Sequence, residues 1–106
     1  MAENILIVFC TFGSVDEARR VAKTMVEERL VACATLLPQV ESIYRWKGAV
    51  ETAQETQVIF KTHLDRYYLL EARIKQLHSY EVPEILAFKA HAGLFSYLQW
   101  VDESSR

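Results

Sequence analysis

The architecture of this chain can be predicted from one run of residues, SIYRWKG at positions 42–48. Side chains alternate along it, which places Tyr44 and Trp46 on one face of a strand and Ile43 on the other. The run ends at Gly48, which with the preceding lysine is a two-residue hairpin turn. A core has no use for adjacent tyrosine, arginine, tryptophan and lysine, so this strand is expected at a contact surface.

The strands on both sides of this turn are predicted to be unusually long. An apolar strand over 31–37 resumes after Pro38, which cannot donate to a ladder and should mark an edge or a bulge. The returning strand is clearest over 56–61. Each strand could exceed ten residues, whereas about five or six is usual. A hairpin of that length must overhang a small domain, and its bare edges invite pairing with another copy.

The first strand and helix are predicted from hydrophobic pattern and capping. Residues 5–10 form an apolar run typical of a central strand, and Gly13 ends it. Ser14 and Glu17 have the spacing of a capping box, in which the carboxylate reaches back to the cap. The helix should continue to about Arg29.

The second half of the chain repeats the alternation of helix and strand. Thr62 is predicted to cap a second helix that ends near His78, and a fourth strand covers 85–90. A last helix starts at Gly93. The predicted class is α+β: a ferredoxin-like βαββαβ sandwich with a long hairpin between its second and third strands and an extra C-terminal helix.

This topology brings distant residues to one edge of the sheet. With right-handed crossovers, Cys10, the loop 78–83 and the hairpin tip converge at the edge where the first strand ends. His63 and His91 fall at the opposite edge and are interpreted as surface residues.

Composition limits the possible partners. The 106 residues are interpreted as a single domain, 1–106, with a formal charge of −2 and no basic run, which argues against nucleic acid. The longest apolar run, 5–10, is too short for a membrane span. The start lacks a signal peptide, and two cysteines are too few for a disulfide framework, so the cytoplasm is expected.

Several separated blocks resemble the CutA divalent cation tolerance family. In chain order they read EERLVACA at 27–34, SIYRWKG at 42–48, KT at 61–62, HSYEVPEI at 78–85 and YLQW at 97–100. The resemblance implies a ferredoxin-like homotrimer whose long hairpins pair between subunits, with copper or other divalent metal ions as ligands. This chain differs from the family pattern at Leu77, Ser79 and Thr35.

Cys10 and His78 match metal-ligand positions of that family. A thiolate at a strand end, close to a helix N-terminus, is a soft donor, and with imidazole it suits Cu(I) or zinc. The alternatives are a buried small hydrophobic residue for Cys10 and a helix C-terminal cation for His78. Two ligands do not complete a zinc site, so water, backbone or a neighbouring subunit would have to contribute. Cys33 is expected in the core.

A second set of residues is predicted at an interface or a cleft between subunits: Tyr44, Trp46, Tyr80, Glu84 and Trp100. Aromatic residues dominate interface cores, but they can also line a small-ligand cleft. Trp100, together with Tyr97, is also interpreted as part of the face by which the last helix docks. Glu51, Glu55 and Lys61 could lie near the cleft or form solvated ion pairs.

Three functions are weighed. The first is a non-enzymatic, trimeric metal-binding protein in divalent cation tolerance. The second is a signalling or scaffold module that resembles the PII regulators and binds a small effector at its subunit clefts. The third is an acylphosphatase-like hydrolase, which is disfavoured because the segment 11–14 lacks the cation of an anion cradle.

Overall fold

The helices and strands follow the order of a ferredoxin-like fold with one added helix. The computed structural model describes residues 1–106. Its elements are β1 (Ile5–Phe12), α1 (Val15–Glu27), β2 (Cys33–Trp46), β3 (Ala49–His63), α2 (Tyr67–Leu77), β4 (Ile85–Lys89) and α3 (Phe95–Ser104). Short 3-10 turns precede β1 and α2. The predicted α+β class and element order are confirmed.

The four strands form one antiparallel sheet in the order β2-β3-β1-β4. β1 pairs along its whole length with β3, from Ile5 opposite His63 to Phe12 opposite Thr56. β4 pairs with the other side of β1. β2 and β4 are therefore the edge strands, and β1 and β3 lie at the centre.

The hairpin of β2 and β3 continues past the sheet as a two-stranded ribbon, residues 40–55. β1 ends opposite Thr56, whereas β2 and β3 stay paired from Val40 opposite Glu55 to Trp46 opposite Ala49. At about 3.3 Å per residue, these seven pairs extend about 23 Å beyond the neighbouring strand. The strands are 14 and 15 residues long, so the predicted overhang is confirmed.

Two local features shape this ribbon. Lys47 and Gly48 have φ values of 50° and 83°, the pair of positive angles that a type I′ turn requires. Pro38 and Gln39 together oppose Thr56, which makes the predicted β-bulge, and Gln39 has a φ of 61°. The bulge increases the local twist where the ribbon leaves the sheet.

The main core lies between one face of the sheet and the helices α1 and α2. Its largest fully buried side chains include Phe12, Phe60, Met25, Leu70, Ile74 and Val8. The even-numbered residues of β1 point to this face because side chains alternate along a strand. Cys10 belongs to this set and has no exposed surface.

Both predicted helix starts differ from the structure in part. Ser14 does cap α1, since its Oγ accepts from the Glu17 amide at 3.1 Å, but the Glu17 carboxylate bonds elsewhere. Thr62 lies in β3 and donates its hydroxyl to the Leu30 carbonyl at 2.7 Å, so it caps no helix. A 3-10 turn capped by His63 comes between the strand and α2. The Glu17 and Thr62 side chains are hydrogen-bonded to residues far away in the sequence, so neither is available for its predicted capping role.

The last helix covers only one end of the opposite sheet face. Leu98 and Val101 of α3 pack with Ile5, near the start of β1. Farther along, Leu86 is 53% exposed and Phe88 is 48% exposed. No helix covers the remainder of this face, called here the open face, which carries Ile7, Phe9, Leu86 and Phe88 beside Lys61 and Gln57. None of the helices is long and apolar enough to cross a membrane.

Cys33 is not in the core as predicted. It opens β2 in a half-buried position, with Sγ 3.8 Å from the hydroxyl oxygen of Tyr97. Because β2 is an edge strand, no neighbouring strand lies on its outer side, which explains the partial exposure of Cys33.

Candidate functional site

A cavity of about 600 Å³ lies beside the end of β1. The ribbon forms one wall, and the loop between α2 and β4 forms the other. Six of its ten lining residues carry aromatic or acidic side chains: Tyr44, Trp46, Glu55, Tyr80, Glu81 and Glu84. Residues of the ribbon and of the loop line the same cavity, so the ribbon lies close to the loop. A two-stranded ribbon twists more strongly than a wide sheet, which is consistent with this arrangement.

A short hydrogen bond joins the two walls of this cavity. The Tyr80 hydroxyl donates to Glu55 Oε2 at 2.6 Å. Burial, followed by the adjacent carboxylate, raises the pKa of the Tyr80 phenol well above its usual range. Gly13 lets the tyrosine ring come close, because a Cβ at that position would lie 3.2 Å from the Tyr80 hydroxyl oxygen.

The loop wall is held to α1 by a buried carboxylate. Glu17 accepts from the Ser79 amide at 2.8 Å and from the Ser79 hydroxyl at 3.0 Å. The next amide, that of Tyr80, donates to His78 Nδ1 at 3.0 Å. The loop backbone is therefore fixed at the amides of Ser79 and Tyr80, which orients the Tyr80 side chain.

Cys10 and His78 approach the same backbone oxygen. The Cys10 Sγ lies 3.9 Å from the Thr11 carbonyl oxygen, and His78 Nε2 lies 2.7 Å from it. Because His78 Nδ1 accepts the Tyr80 amide, Nε2 carries the proton and donates to that carbonyl. The histidine ring also stacks on Phe12 at 4.4 Å between centroids.

The electrostatics around the thiol favour a proton or a cation over a free thiolate. Burial, with the negative charges of Glu84 and Glu17, raises the pKa of the Cys10 thiol to about 12. A metal ion would have to displace the thiol proton, and Nε2 could bind it only if the ring proton moved to Nδ1, which would break the bonds of His78 to both the Thr11 carbonyl and the Tyr80 amide. No three histidine, cysteine or acidic side chains converge as a metal cage, so a four-ligand zinc centre does not fit within one chain.

The structure brings four of the five predicted cleft residues together. Tyr44, Trp46, Tyr80 and Glu84 all line the cavity. Trp100 does not, because α3 packs near the opposite end of β1; its ring lies 5.8 Å from that of Tyr97 and is 44% exposed.

Sequence reasoning missed part of the lining. Ile43 was assigned to the opposite face from its neighbours, yet it also lines the cavity, which strict alternation along a strand does not predict. Glu81 and Val82 line it too, and the loop prediction over 78–83 already contained them. Glu51 and Lys61 lie outside the lining, and only Glu55 of that charged group belongs to it.

Comparison with known proteins gives consistent similarities. The family model for the CutA1 divalent ion tolerance protein matches residues 6–104. The divalent-cation tolerance protein CutA of Thermus thermophilus is 42% identical over 99 residues, covering 93% of this chain and 96% of that one. The crystal structure of CutA from Xylella fastidiosa has a TM-score of 0.94 at 35% identity, covering 97% of this chain and 99% of that one. The periplasmic divalent cation tolerance protein CutA from Archaeoglobus fulgidus has a TM-score of 0.93 at 33% identity, covering 96% of this chain and 99% of that one.

Proposed function

The chain belongs to the CutA1 divalent ion tolerance protein family, and from this premise we propose that it is a non-catalytic homotrimer that binds divalent cations, copper among them. The observation that carries the metal assignment is the approach of Cys10 Sγ and His78 Nε2 to one carbonyl oxygen. The cytoplasm, where thiols stay reduced, is the proposed compartment, since both cysteines are free.

The open face of the sheet supports the assembly. Leu86 and Phe88 are about half exposed there, and an isolated chain gains nothing from such a patch. A neighbouring copy would cover this patch. The ribbon adds two strand edges that have no pairing strand within the chain and are free to pair with another copy.

Assembly can be tested by sedimentation velocity on Phe88→Glu. A charge on the open face should break the trimer, whereas Lys89→Glu, one residue away and on the other face of β4, should leave it intact. Wild-type protein that sediments as a monomer at micromolar concentration would rule out the proposed assembly.

A soft cation would bind to Cys10 Sγ and His78 Nε2, the two donors near the Thr11 carbonyl oxygen. Glu84 and Glu17, which disfavour a thiolate at Cys10, attract a cation to the same place. Bound copper would supply the positive charge that a buried thiolate lacks. On this proposal the thiol loses its proton only as the ion arrives, so affinity should increase with pH.

Copper titration of reduced protein tests this assignment. Cys10→Ala should weaken binding at least tenfold, whereas Cys33→Ala removes the other thiol and should bind like wild type. His78→Ala should weaken it too, and its folding is checked by circular dichroism because the ring packs on Phe12. Equal affinity in wild type and Cys10→Ala would exclude this site.

The cavity itself favours a second candidate function, that of a PII-like module with a small effector at its clefts. Its volume of about 600 Å³ lies within the range of about 300–1,000 Å³ typical of small-molecule sites. A thermal-shift screen of nucleotides and metals separates the two functions, because only a bound ligand raises the melting temperature.

A further inference from the structure

The cavity lining carries charge of one sign. It includes three carboxylates, Glu55, Glu81 and Glu84, and none of the ten lining residues is a lysine, arginine or histidine. Glu55 is the most buried of the three, with 9% exposure. Its Oε2 accepts from Tyr80, which leaves Oε1 without a hydrogen bond from the chain. A ligand that enters this cavity gains most if it is positively charged.

The aromatic lining is suited to an organic cation. Tyr44 and Trp46 are each 43% exposed, and Tyr80 lies opposite them on the loop. Aromatic faces attract ammonium groups and also cover methylene groups. The Trp46 ring already has one such neighbour, the Lys47 Nζ at 5.8 Å from its centroid.

The spacing of the carboxylates argues against a single metal ion as the ligand of this cavity. No three acidic, histidine or cysteine side chains converge on one point. A point charge at one carboxylate would leave the others unneutralised, whereas a flexible chain with several ammonium groups can reach them separately. The methylene segments between its charges would lie against the apolar half of the lining, which includes Ile43 and Val82.

We propose that this cavity binds a linear aliphatic polyamine. Glu55, Glu81 and Glu84 accept hydrogen bonds from its ammonium groups, and Tyr44, Trp46 and Tyr80 contact the methylene segments between them. The copper donors lie outside this cavity, because neither Cys10 nor His78 lines it, although the charge of Glu84 acts in both proposals. Polyamine binding goes beyond metal tolerance, and Trp46→Leu, at a residue with no part in the copper proposal, tests it separately.

Calorimetry with three probes of matched length tests the ligand class. Spermidine carries three ammonium groups; 1,8-diaminooctane has the same length without the middle charge; 1,8-octanediol has no charge. On assembled wild-type protein at low salt, affinity should fall in that order, with no measurable heat from the diol. Binding should weaken as salt is added, since exposed charges are screened. Absence of spermidine binding, or equal binding of the diol, would overturn the proposal.

Two pairs of variants test the location. Trp46→Leu and Glu84→Gln should each weaken spermidine binding about tenfold, the effect of roughly 1.4 kcal/mol. Their controls are Trp100→Leu, the other tryptophan, and Glu51→Gln, an exposed ribbon carboxylate outside the lining. Equal losses in the control variants would mean non-specific charge attraction and would overturn the site. If Glu84→Gln weakens binding, Trp46→Leu does not, and Mg²⁺ displaces spermidine completely, the cavity is an inorganic cation site and the proposal is wrong.

Discussion

Glu17 and Ser79 lie 62 positions apart in the chain and are joined by two hydrogen bonds, one from the Ser79 amide and one from its hydroxyl. This pair ties the first turn of α1 to the loop that forms one wall of the cavity. The carboxylate that the sequence assigned to helix capping is therefore a tertiary anchor. A charged acceptor with two donors in a largely buried position is among the stronger hydrogen-bonded arrangements in a protein.

Replacing this anchor should destabilise the fold and loosen the loop. We expect Glu17→Ala to lower the free energy of unfolding by about 2 kcal/mol, since two donors lose a charged acceptor. Asp16→Ala is the matched control, because it also removes an acidic residue from the first helical turn but is exposed and makes only a long contact with Arg19. It should cost under about 0.5 kcal/mol. Urea unfolding at one protein concentration measures both, and hydrogen exchange should show faster exchange at the Ser79 amide in Glu17→Ala alone.

The bond across the cavity can be tested by removing one oxygen atom. Tyr80→Phe leaves Glu55, a largely buried carboxylate, without its donor at 2.6 Å. The expected loss is about 1–3 kcal/mol in unfolding free energy. Tyr68→Phe removes a hydroxyl from an exposed tyrosine of α2 and should change nothing measurable. Equal stability of the two variants would show that the Glu55 carboxylate is satisfied by water.

Alkaline pH should destabilise the metal-free protein partly through Cys10. Burial raises the pKa of its thiol from the ordinary 9.0 to about 12, so the folded state holds a proton that the unfolded chain releases. The contribution of the thiol to stability is complete below pH 9 and is lost as the pH rises from 9 towards 12. The raised pKa values of Tyr67 and Tyr80 act in the same direction above pH 10.

Comparison with the wild type isolates the share of this thiol. In the presence of chelator, Cys10→Ala should lose stability less steeply than the wild type between pH 9 and 11, by at most about 1.4 kcal/mol per pH unit. Cys33 and the tyrosines are common to both proteins, so their contributions cancel. Identical slopes, measured by urea unfolding across this range, would mean that the thiol titrates alike in both states.

Substitutions at the two adjacent residues of the ribbon turn should change the stability of the protein in opposite directions. Gly48 has a φ of 83°, and open space surrounds its Cα, so Gly48→Ala introduces backbone strain without a clash and should cost about 1–2 kcal/mol. Lys47 has a φ of 50°, which asparagine adopts more readily than lysine. Lys47→Asn should therefore raise the free energy of unfolding by about 0.5 kcal/mol. Thermal unfolding should lower the midpoint for the first and raise it for the second. A shift of the same sign in both would contradict the type I′ assignment.

Local features of the sequence were sufficient to predict most of the backbone. Lys47-Gly48 predicted the turn, and Pro38 predicted the bulge, because φ preferences and a missing donor act within a few residues. The element order and the length of the hairpin followed from hydrophobic pattern. Helix capping was less predictable, since Glu17 and Thr62 had partners elsewhere in the fold.

For the candidate site, the sequence predicted only which segments lie together at one edge of the sheet. The topology correctly brought Tyr44 and Tyr80 to one edge, but it gave no reason to include Ile43 or to exclude Trp100. Those outcomes depend on how far the ribbon twists and on which end of the sheet α3 covers, and neither is written in a local pattern.

Taken alone, the amino-acid order determined the succession of strands and helices, the ribbon with its turn, and the family resemblance, since each depends on preferences that neighbouring residues express together. Only the folded chain decided that Cys10 is fully buried, that Glu17 holds Ser79, and which side chains share the cavity. Burial and hydrogen-bond partners are set by groups far away in the sequence, and these become neighbours only when the sheet and helices pack together.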